Sequence, residues 1–123
     1  MDESPATAVR KKKQCSINIC MELVKAKEAD AMVSAGNSGA VAAAAVFCLG
    51  RTAGVLRPAI ATVLPTRQPN RPLLLLDAGA NTDCHETWLA QFAVMGSAYS
   101  HAVLKRTEPV VGLLSIGTED CKG

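Results

Sequence analysis

The sequence predicts an α/β fold with three layers, in which helices cover both faces of a mostly parallel sheet. Apolar runs alternate along the chain with segments of helical spacing, and this alternation is typical of α/β proteins. The run at residues 73–76 is continuously apolar, as expected for a strand buried on both faces, and residues 110–116 are predicted to form another buried strand. Three predicted strands end at turns that contain glycine, and in such sheets ligands bind beyond the carboxyl ends of the strands.

The composition is that of one globular domain whose cysteines are free thiols, as in a cytosolic protein. The chain has 123 residues, of which 49% are hydrophobic, enough for one core. A formal charge of +2 and 3% aromatic residues argue against a nucleic-acid partner. The five cysteines form no C-x-x-C pair, and the first residues lack the apolar core of a signal peptide. The longest apolar run, residues 40–49, is shorter than the roughly 20 residues of a membrane span, so we expect a cytoplasmic protein.

Two helices are predicted before the first strand. Ser4 followed by Pro5 is a favourable helix start. The first helix then enters a basic run, which is either a solvated helix face or a surface for an acidic partner. The basic run consists of Arg10, Lys11, Lys12 and Lys13. Ser16 is a candidate cap for the second helix, whose apolar stripe is predicted to contain Ile17, Cys20, Leu23 and Val24.

A strand, a glycine turn and a buried helix are predicted next. The strand covers residues 30–33 and leads into the turn. The helix covers residues 40–49 and is apolar on every side, so we expect it to lie buried between layers. Gly50 is predicted to end this helix.

Two further strands flank a polar loop. Residues 59–64 are rich in strand-forming side chains, and residues 73–76 form the second strand. Between them, residues 65–72 contain three prolines and cannot continue either strand, so this loop is expected to face water.

A long amphipathic helix precedes the last predicted strand. Asp83 and Glu86 have the spacing of a capping box. Apolar or small residues then recur every three or four positions, at Leu89, Phe92, Gly96, Tyr99 and Val103. The strand at residues 110–116 follows Pro109 and ends at Gly117.

The turn before the third helix is the first site candidate. Gly36 and Gly39 permit backbone angles that a β-carbon would resist, and the free amides of a helix N-terminus attract anions. Asn37 and Ser38 add donors that suit phosphate or a developing oxyanion. The alternative interpretation is a simple chain reversal without a ligand.

A second candidate turn follows the strand at residues 73–76. Asp77 and Asn81 flank Gly79, so that a carboxylate and an amide could meet a ligand from one turn. Both residues are equally consistent with ordinary turn and cap roles. Convergence of the polar turns at one sheet edge would make a site more specific than any single turn.

Several other chemistries are disfavoured by missing patterns. Neither G-x-G-x-x-G nor G-x-x-x-x-G-K-[ST] occurs, which argues against dinucleotide and P-loop sites, and G-x-S-x-G is absent too. Cys84 beside a helix start is either a thiolate nucleophile or a small packing residue. His85 and His101 are sixteen residues apart, which is not metal-pair spacing on a helix, so no metal site is predicted.

These segments, in this order, resemble the phosphate acyltransferases of bacterial phospholipid synthesis. The similar stretches are S-P-A with the basic run, S-A-G-N-S-G-A at residues 34–40, R-P-A-I-A-T-V-L-P at 57–65, D-A-G-A-N-T-D-C at 77–84, Q-F-A-V-M-G-S at 91–97, and residues 111–123. The resemblance covers nearly the whole chain.

The resemblance implies transfer of a fatty acyl group from acyl-carrier protein to inorganic phosphate, which gives acyl phosphate. It implies a partial domain of an isocitrate/isopropylmalate dehydrogenase-like fold, and it implies no organic cofactor. It further implies a cytoplasmic homo-oligomer, with peripheral membrane association of the full-length family members. Phosphate could act directly as the nucleophile, so an acyl-enzyme at Cys84 is unnecessary.

Site roles are assigned from the polar turns and the charge of the basic run, read together with this reaction. Catalytic roles fall on Asn37, Asp77 and Asn81, and carrier-protein docking falls on the basic run. Substrate binding falls on Gly36, Ser38, Gly39, Gly79 and Lys122.

Family members are much longer, so we expect residues 1–123 to be a partial domain that lacks an upstream glycine-rich motif and a C-terminal portion. A noncatalytic fragment that only binds an anion or a partner is the alternative. Phosphate-dependent release of the carrier-protein thiol separates the two hypotheses.

Overall fold

The computed structural model of the chain describes residues 5–115 and residue 117. These residues fall into two compact units, one up to Pro58 and one from Ala59 onward, and each is described by itself. The helices and strands are α1 (Pro5–Lys11), α2 (Ser16–Lys25), α3 (Ser38–Cys48), β1 (Thr62–Leu64), β2 (Leu73–Leu75) and α4 (Glu86–Ala102).

The first unit is a small helical cluster in which α1 and α2 both pack against α3. Its buried apolar side chains are Val9, Met21 and Ala44, one from each helix. A partly buried shell of mainly alanine and other small or medium side chains surrounds them. Because alanine lets helix axes approach closely, α3 can serve as the common surface for the other two helices.

A buried asparagine ties α2 to α1. The Asn18 amide donates from Nδ2 to the carbonyl oxygens of Val9, at 2.9 Å, and Lys12, at 3.1 Å. These carbonyls lie at the end of α1, where a helix leaves its last acceptors without internal partners. The buried face of α2 therefore contains Asn18 and Met21, whereas Leu23 of the predicted stripe is exposed.

The helix ends agree only in part with prediction. The predicted cap Ser16 is the first helical residue, and Cys15 is the N-cap, without a side-chain cap hydrogen bond. Helix α3 begins at Ser38, two residues before the predicted start. Gly50 ends it as predicted: its φ of 83° suits glycine, and its N–H bonds to the Ala45 carbonyl.

Helix α3 is less buried than predicted. Only Ala44 along it is buried, while Phe47 is 44% exposed and the C-cap Leu49 is exposed too. Within its own unit, α1 and α2 cover one side of the helix, so the predicted burial on every side is wrong for this unit.

Two predicted strands are not strands in the described part of the chain. Residues 31–35 and 110–115 have no regular structure, and Val33 and Val110 are 98% and 97% exposed. A strand requires a neighbouring strand to satisfy its N–H and C=O groups, and neither segment has one here. Ile116 lies outside the described residues.

The second unit contains an antiparallel strand pair and one long helix. Thr62 pairs with Leu75 and Leu64 with Leu73, and the predicted polar loop joins the strands. An eight-residue connection is too short for the crossover that parallel strands need, so these neighbours run antiparallel. Two strands do not test the three-layer, dehydrogenase-like architecture, which stays a prediction.

Helix α4 packs against β2 at a glycine. A β-carbon on Gly96 would lie 3.7 Å from Cδ1 of Leu76. Phe92, one turn earlier, is buried as the predicted stripe requires, although Tyr99 and Val103 are exposed.

The predicted capping box at the start of α4 is wrong, because His85 is the N-cap and makes no side-chain cap hydrogen bond. Across the described ranges, every helix falls short of the length and apolarity that a bilayer crossing demands.

Candidate functional site

The turn after β2 is organised around the carboxylate of Asp77. Its Oδ1 accepts hydrogen bonds from the N–H groups of Ile60, at 2.7 Å, and Ala80, at 3.1 Å. Its Oδ2 accepts from the backbone N–H of Asn81, at 2.7 Å, and from Nδ2 of the same residue, at 2.9 Å. The carboxylate thus joins the chain before β1 to the turn after β2 and sets the path of the backbone in between.

These bonds outweigh the effect of burial on the Asp77 pKa. Burial raises the pKa, but the hydrogen bonds from Ile60, Asn81 and Ala80 favour the ionised form and bring the pKa below its ordinary value. A carboxylate that is ionised and already holds four hydrogen bonds is a poor proton acceptor. The geometry therefore favours a positioning role for Asp77 over the proton transfer that a catalytic assignment suggests.

The backbone of the Asp77 turn is also bonded to the chain before β1. The Ala78 N–H donates to the Ile60 carbonyl at 2.9 Å. Gly79 has a φ of 106°, which side-chain-bearing residues rarely adopt, and it is exposed. The exposed tip at Gly79 is the part of this turn that a ligand could approach most closely.

The surroundings of Cys84 disfavour an activated thiolate. Burial raises its pKa, and the negative charges of Asp77 and Asp83 raise it further. Its Sγ lies 3.9 Å from the Asn81 carbonyl oxygen, a weak contact in which the thiol donates. A protonated thiol disfavours the nucleophile hypothesis and favours the packing alternative.

Asn37 caps helix α3. Its Oδ1 accepts from the Ala40 N–H at 2.9 Å, which satisfies one of the free donors at the helix start. Asn37, Ser38 and Gly39 are all exposed. Ser38 and Gly39, the first two residues of the helix, are thus exposed, and the Asn37 side chain also carries an Nδ2 amide donor.

The two glycines of this turn do not have the role that was predicted. Neither Gly36 nor Gly39 is among the positive-φ residues of the described chain, and Gly39 lies within α3. A β-carbon on Gly36 would lie 3.2 Å from Oγ of Ser34, whose hydroxyl accepts the Gly36 N–H at 3.1 Å. Gly36 therefore permits a close approach to Oγ of Ser34, which a β-carbon would displace slightly, and it does not supply an unusual backbone angle.

The candidate residues lie in two separate units. The Asn37 turn belongs to the first unit and the Asp77 turn to the second, so the convergence of the turns stays a prediction. Lys122 lies outside the described residues, and of the third turn only Gly117 is described, with a φ of 124°. Within the described residues, no three His, Cys, Asp or Glu side chains are grouped as metal ligands would be.

Part of the basic run has a structural role. The Arg10 guanidinium lies over the Phe47 ring, 4.6 Å from its centroid, which ties α1 to α3. Lys11 is the last residue of α1, and Lys11, Lys12 and Lys13 are exposed.

Ile60 is the residue of the Asp77 turn that sequence reasoning missed. It contributes only backbone atoms, its N–H to Asp77 and its carbonyl to Ala78. Backbone donors carry no side-chain signature, so only the pairing register of β1 and β2 could have identified it.

Comparison with known proteins identifies the family. The family model described as "Fatty acid synthesis protein" matches residues 1–123, so the chain belongs to this family. The phosphate acyltransferases of Nostoc punctiforme and Trichodesmium erythraeum are both 59% identical to it over the whole chain, which covers 36% of each. The phosphate acyltransferase of Prochlorococcus marinus is 58% identical, with 28% covered. The chain thus spans about a third of the length of the curated relatives it matches.

Proposed function

We propose that this chain is part of an acyl-carrier-protein:phosphate acyltransferase, which moves a fatty acyl group from the carrier thioester to inorganic phosphate. The identity to relatives named phosphate acyltransferase supports the reaction class. In balanced form, a phosphate oxygen attacks the thioester carbon, the C–S bond breaks, and acyl phosphate and the carrier thiol are formed. Neither an oxidant nor a cofactor is needed.

The observation that carries the proposal is the Asn37 cap at the start of α3. Its exposed first turn offers backbone donors and a side-chain amide to an anion, and the helix dipole favours negative charge there. In the proposed reaction these donors hold phosphate or stabilise the tetrahedral oxyanion of the thioester. Donors fixed in advance are effective because they need not reorganise as charge develops.

The Asp77 turn has a supporting part in this proposal. Asp77 fixes the backbone from Ala78 to Asn81, so that the exposed Gly79 tip presents a defined surface to substrate. The Asn81 side-chain amide donates one hydrogen bond to Asp77, so part of the role of Asn81 is to stabilise the turn.

The rest of the proposal concerns the surroundings of the site. We propose the three-layer, dehydrogenase-like α/β architecture for the complete enzyme, with both turns at one edge of its sheet. The acyl donor is an acyl-carrier protein, the acceptor is inorganic phosphate, and the enzyme acts in the cytoplasm as a homo-oligomer.

A full-length chimera tests the site assignment. In the chimera, this segment replaces the matching third of the Nostoc punctiforme phosphate acyltransferase. Asn37→Ala should raise the reaction barrier by about 3 kcal/mol, roughly a hundredfold in turnover, while the lost cap costs about 1 kcal/mol of stability. Turnover is measured as phosphate-dependent release of the carrier thiol, and stability by thermal unfolding.

Asn37→Ser is the matched control. Serine is also a good N-cap, so it retains the bond to the Ala40 N–H but lacks the amide donor. A loss of turnover in both variants, with stability lost only in Asn37→Ala, supports the role in catalysis. Parental turnover in Asn37→Ser would show that Asn37 is only a cap, and a chimera without thiol release would favour the noncatalytic alternative.

A further inference from the structure

Four cations gather beside the loop that joins β1 and β2. Arg67 and Arg71 belong to this loop, and Lys105 and Arg106 follow the end of α4. They line two cavities of about 400 and 360 Å³, and Arg71 and Arg106 line both. We call these four residues the hairpin basic cluster.

The loop that carries the cluster is internally braced. The Thr66 hydroxyl donates to the Arg71 carbonyl at 2.8 Å and accepts from the Gln68 N–H at 3.2 Å. The Arg106 guanidinium donates to the Pro72 carbonyl, which connects the segment after α4 to the loop. The cations therefore stand on a fixed surface and not on a free tether.

The cluster is not neutralised by the described part of the chain. In the described residues the Arg106 guanidinium donates to the Pro72 carbonyl, and Arg71 makes a long hydrogen bond of 3.4 Å to Oε1 of Gln68. Both acceptors are neutral, and none of the four cations pairs with a carboxylate there. Among the lining residues Glu108 is the one carboxylate. One carboxylate cannot balance four positive charges, which repel each other. The cluster therefore has a positive electrostatic potential that attracts anions.

We propose that the hairpin basic cluster is the docking surface for an acidic protein partner. This rests on the proposed function, under which the partner is the acyl-carrier protein. The cations extend over two adjoining cavities, with Arg67 in one and Lys105 in the other, and such a spread suits an acidic protein face better than one small anion. Arginine is also enriched at the energetic centres of protein interfaces.

The basic run is the competing docking surface. Its Arg10 already lies over Phe47. The hairpin basic cluster instead presents two exposed arginines, Arg67 and Arg71, whose side chains make no contact with an aromatic ring or carboxylate in the described residues.

Three double variants of the chimera, each with two charges removed, test the proposal. The cluster variant is Arg67→Gln/Arg71→Gln, which leaves the Arg106 brace intact. The competing variant is Lys12→Gln/Lys13→Gln, and the control is Lys25→Gln/Lys27→Gln, at the last residue of α2 and two residues beyond it. Binding of fluorescently labelled acyl-carrier protein is measured by anisotropy at 20 mM to 500 mM salt, alongside KM and kcat in the thiol-release assay.

The cluster variant alone should bind the carrier protein about fivefold more weakly at low salt. The difference should shrink to less than twofold at high salt, because salt screens exposed charges. KM should rise while kcat is unchanged. Unchanged binding in the cluster variant, or equal losses in all three variants, would overturn the docking assignment without affecting the proposed function.

Two further outcomes separate the proposals. If the cluster variant binds the carrier protein normally but has a raised KM for inorganic phosphate, the cluster is a small-anion site and the protein-docking proposal is wrong. If the unsubstituted chimera neither binds the carrier protein nor releases thiol, the proposed function fails and the docking proposal fails with it.

Discussion

At the scale of single residues, Asp77 organises the turn after β2. Four hydrogen bonds converge on its two oxygens. In Asp77→Asn the new amide nitrogen would face N–H donors, so at least one donor pair loses its acceptor. We expect the chimera to lose about 2 kcal/mol or more of stability, measured by denaturant unfolding. Asp83→Asn, at an exposed position in the same segment, is the control and should change stability by less than about 0.5 kcal/mol.

The same residue predicts a pH dependence. The pKa of Asp77 is lower in the folded protein than the ordinary value of 3.8. Its contribution is therefore complete above about pH 4 and is lost as pH falls through the folded-state pKa. The stability gap between the parent and Asp77→Asn should narrow below pH 4. A gap that stays constant between pH 7 and pH 2.5 would show that ionised Asp77 does not stabilise the turn.

At the scale of elements, two glycines should respond oppositely to alanine. Gly96 lies inside α4, and a β-carbon there would meet Leu76 at 3.7 Å, an ordinary contact. Gly96→Ala should therefore stabilise the protein by about 0.5–1 kcal/mol through the helix preference of alanine. Gly79→Ala has open space but a φ of 106°, so it should cost at least about 1 kcal/mol. Thermal unfolding of both variants checks the pair, and destabilisation by Gly96→Ala would mean that α4 and β2 pack more tightly than described.

The elements also show how far the sequence can predict structure. Helical periodicity located α2 and α4, and the proline-rich loop between apolar runs located β1 and β2. Caps were harder, because Ser16 and Asp83 were plausible by residue type while the caps are Cys15 and His85. The strands predicted at residues 30–33 and 110–116 failed for a different reason: strand propensity has no effect without a pairing partner, and partners are not encoded locally.

The candidate site was predictable to a similar degree. Residue type alone indicated that Asn37, Asp77 and Asn81 occupy polar turns, and the structure places all three in such turns. The four hydrogen bonds that saturate Asp77 depend on where β1 brings the Ile60 backbone, which is a tertiary property. The hairpin basic cluster was missed because Arg71 and Arg106 are far apart in sequence and meet only in the fold.

At the scale of the whole molecule, the chain buries few apolar side chains. Among the described residues these are Val9, Met21 and Ala44 in one unit and Phe92 in the other. Large side chains such as Leu113 and Leu114 remain more than 60% exposed. Each apolar side chain that stays exposed lacks roughly 1.5–3 kcal/mol of stabilisation that burial would provide. The free energy of unfolding of a typical protein is only about 5–15 kcal/mol. A few uncovered side chains are therefore enough to remove the margin.

We accordingly predict that the 123-residue chain expressed alone is marginally stable, self-associates and shows no phosphate-dependent thiol release. Exposed apolar surface promotes association, and the free thiols of Cys15, Cys20, Cys48 and Cys84 add a risk of intermolecular oxidation. Size exclusion and thermal melting in reducing buffer, together with the thiol-release assay, measure all three properties, with the chimera as the positive control. A compact monomer that melts sharply and turns over acyl-carrier protein would contradict the prediction, because it would show that this third of the relatives' length contains a complete core and a complete site.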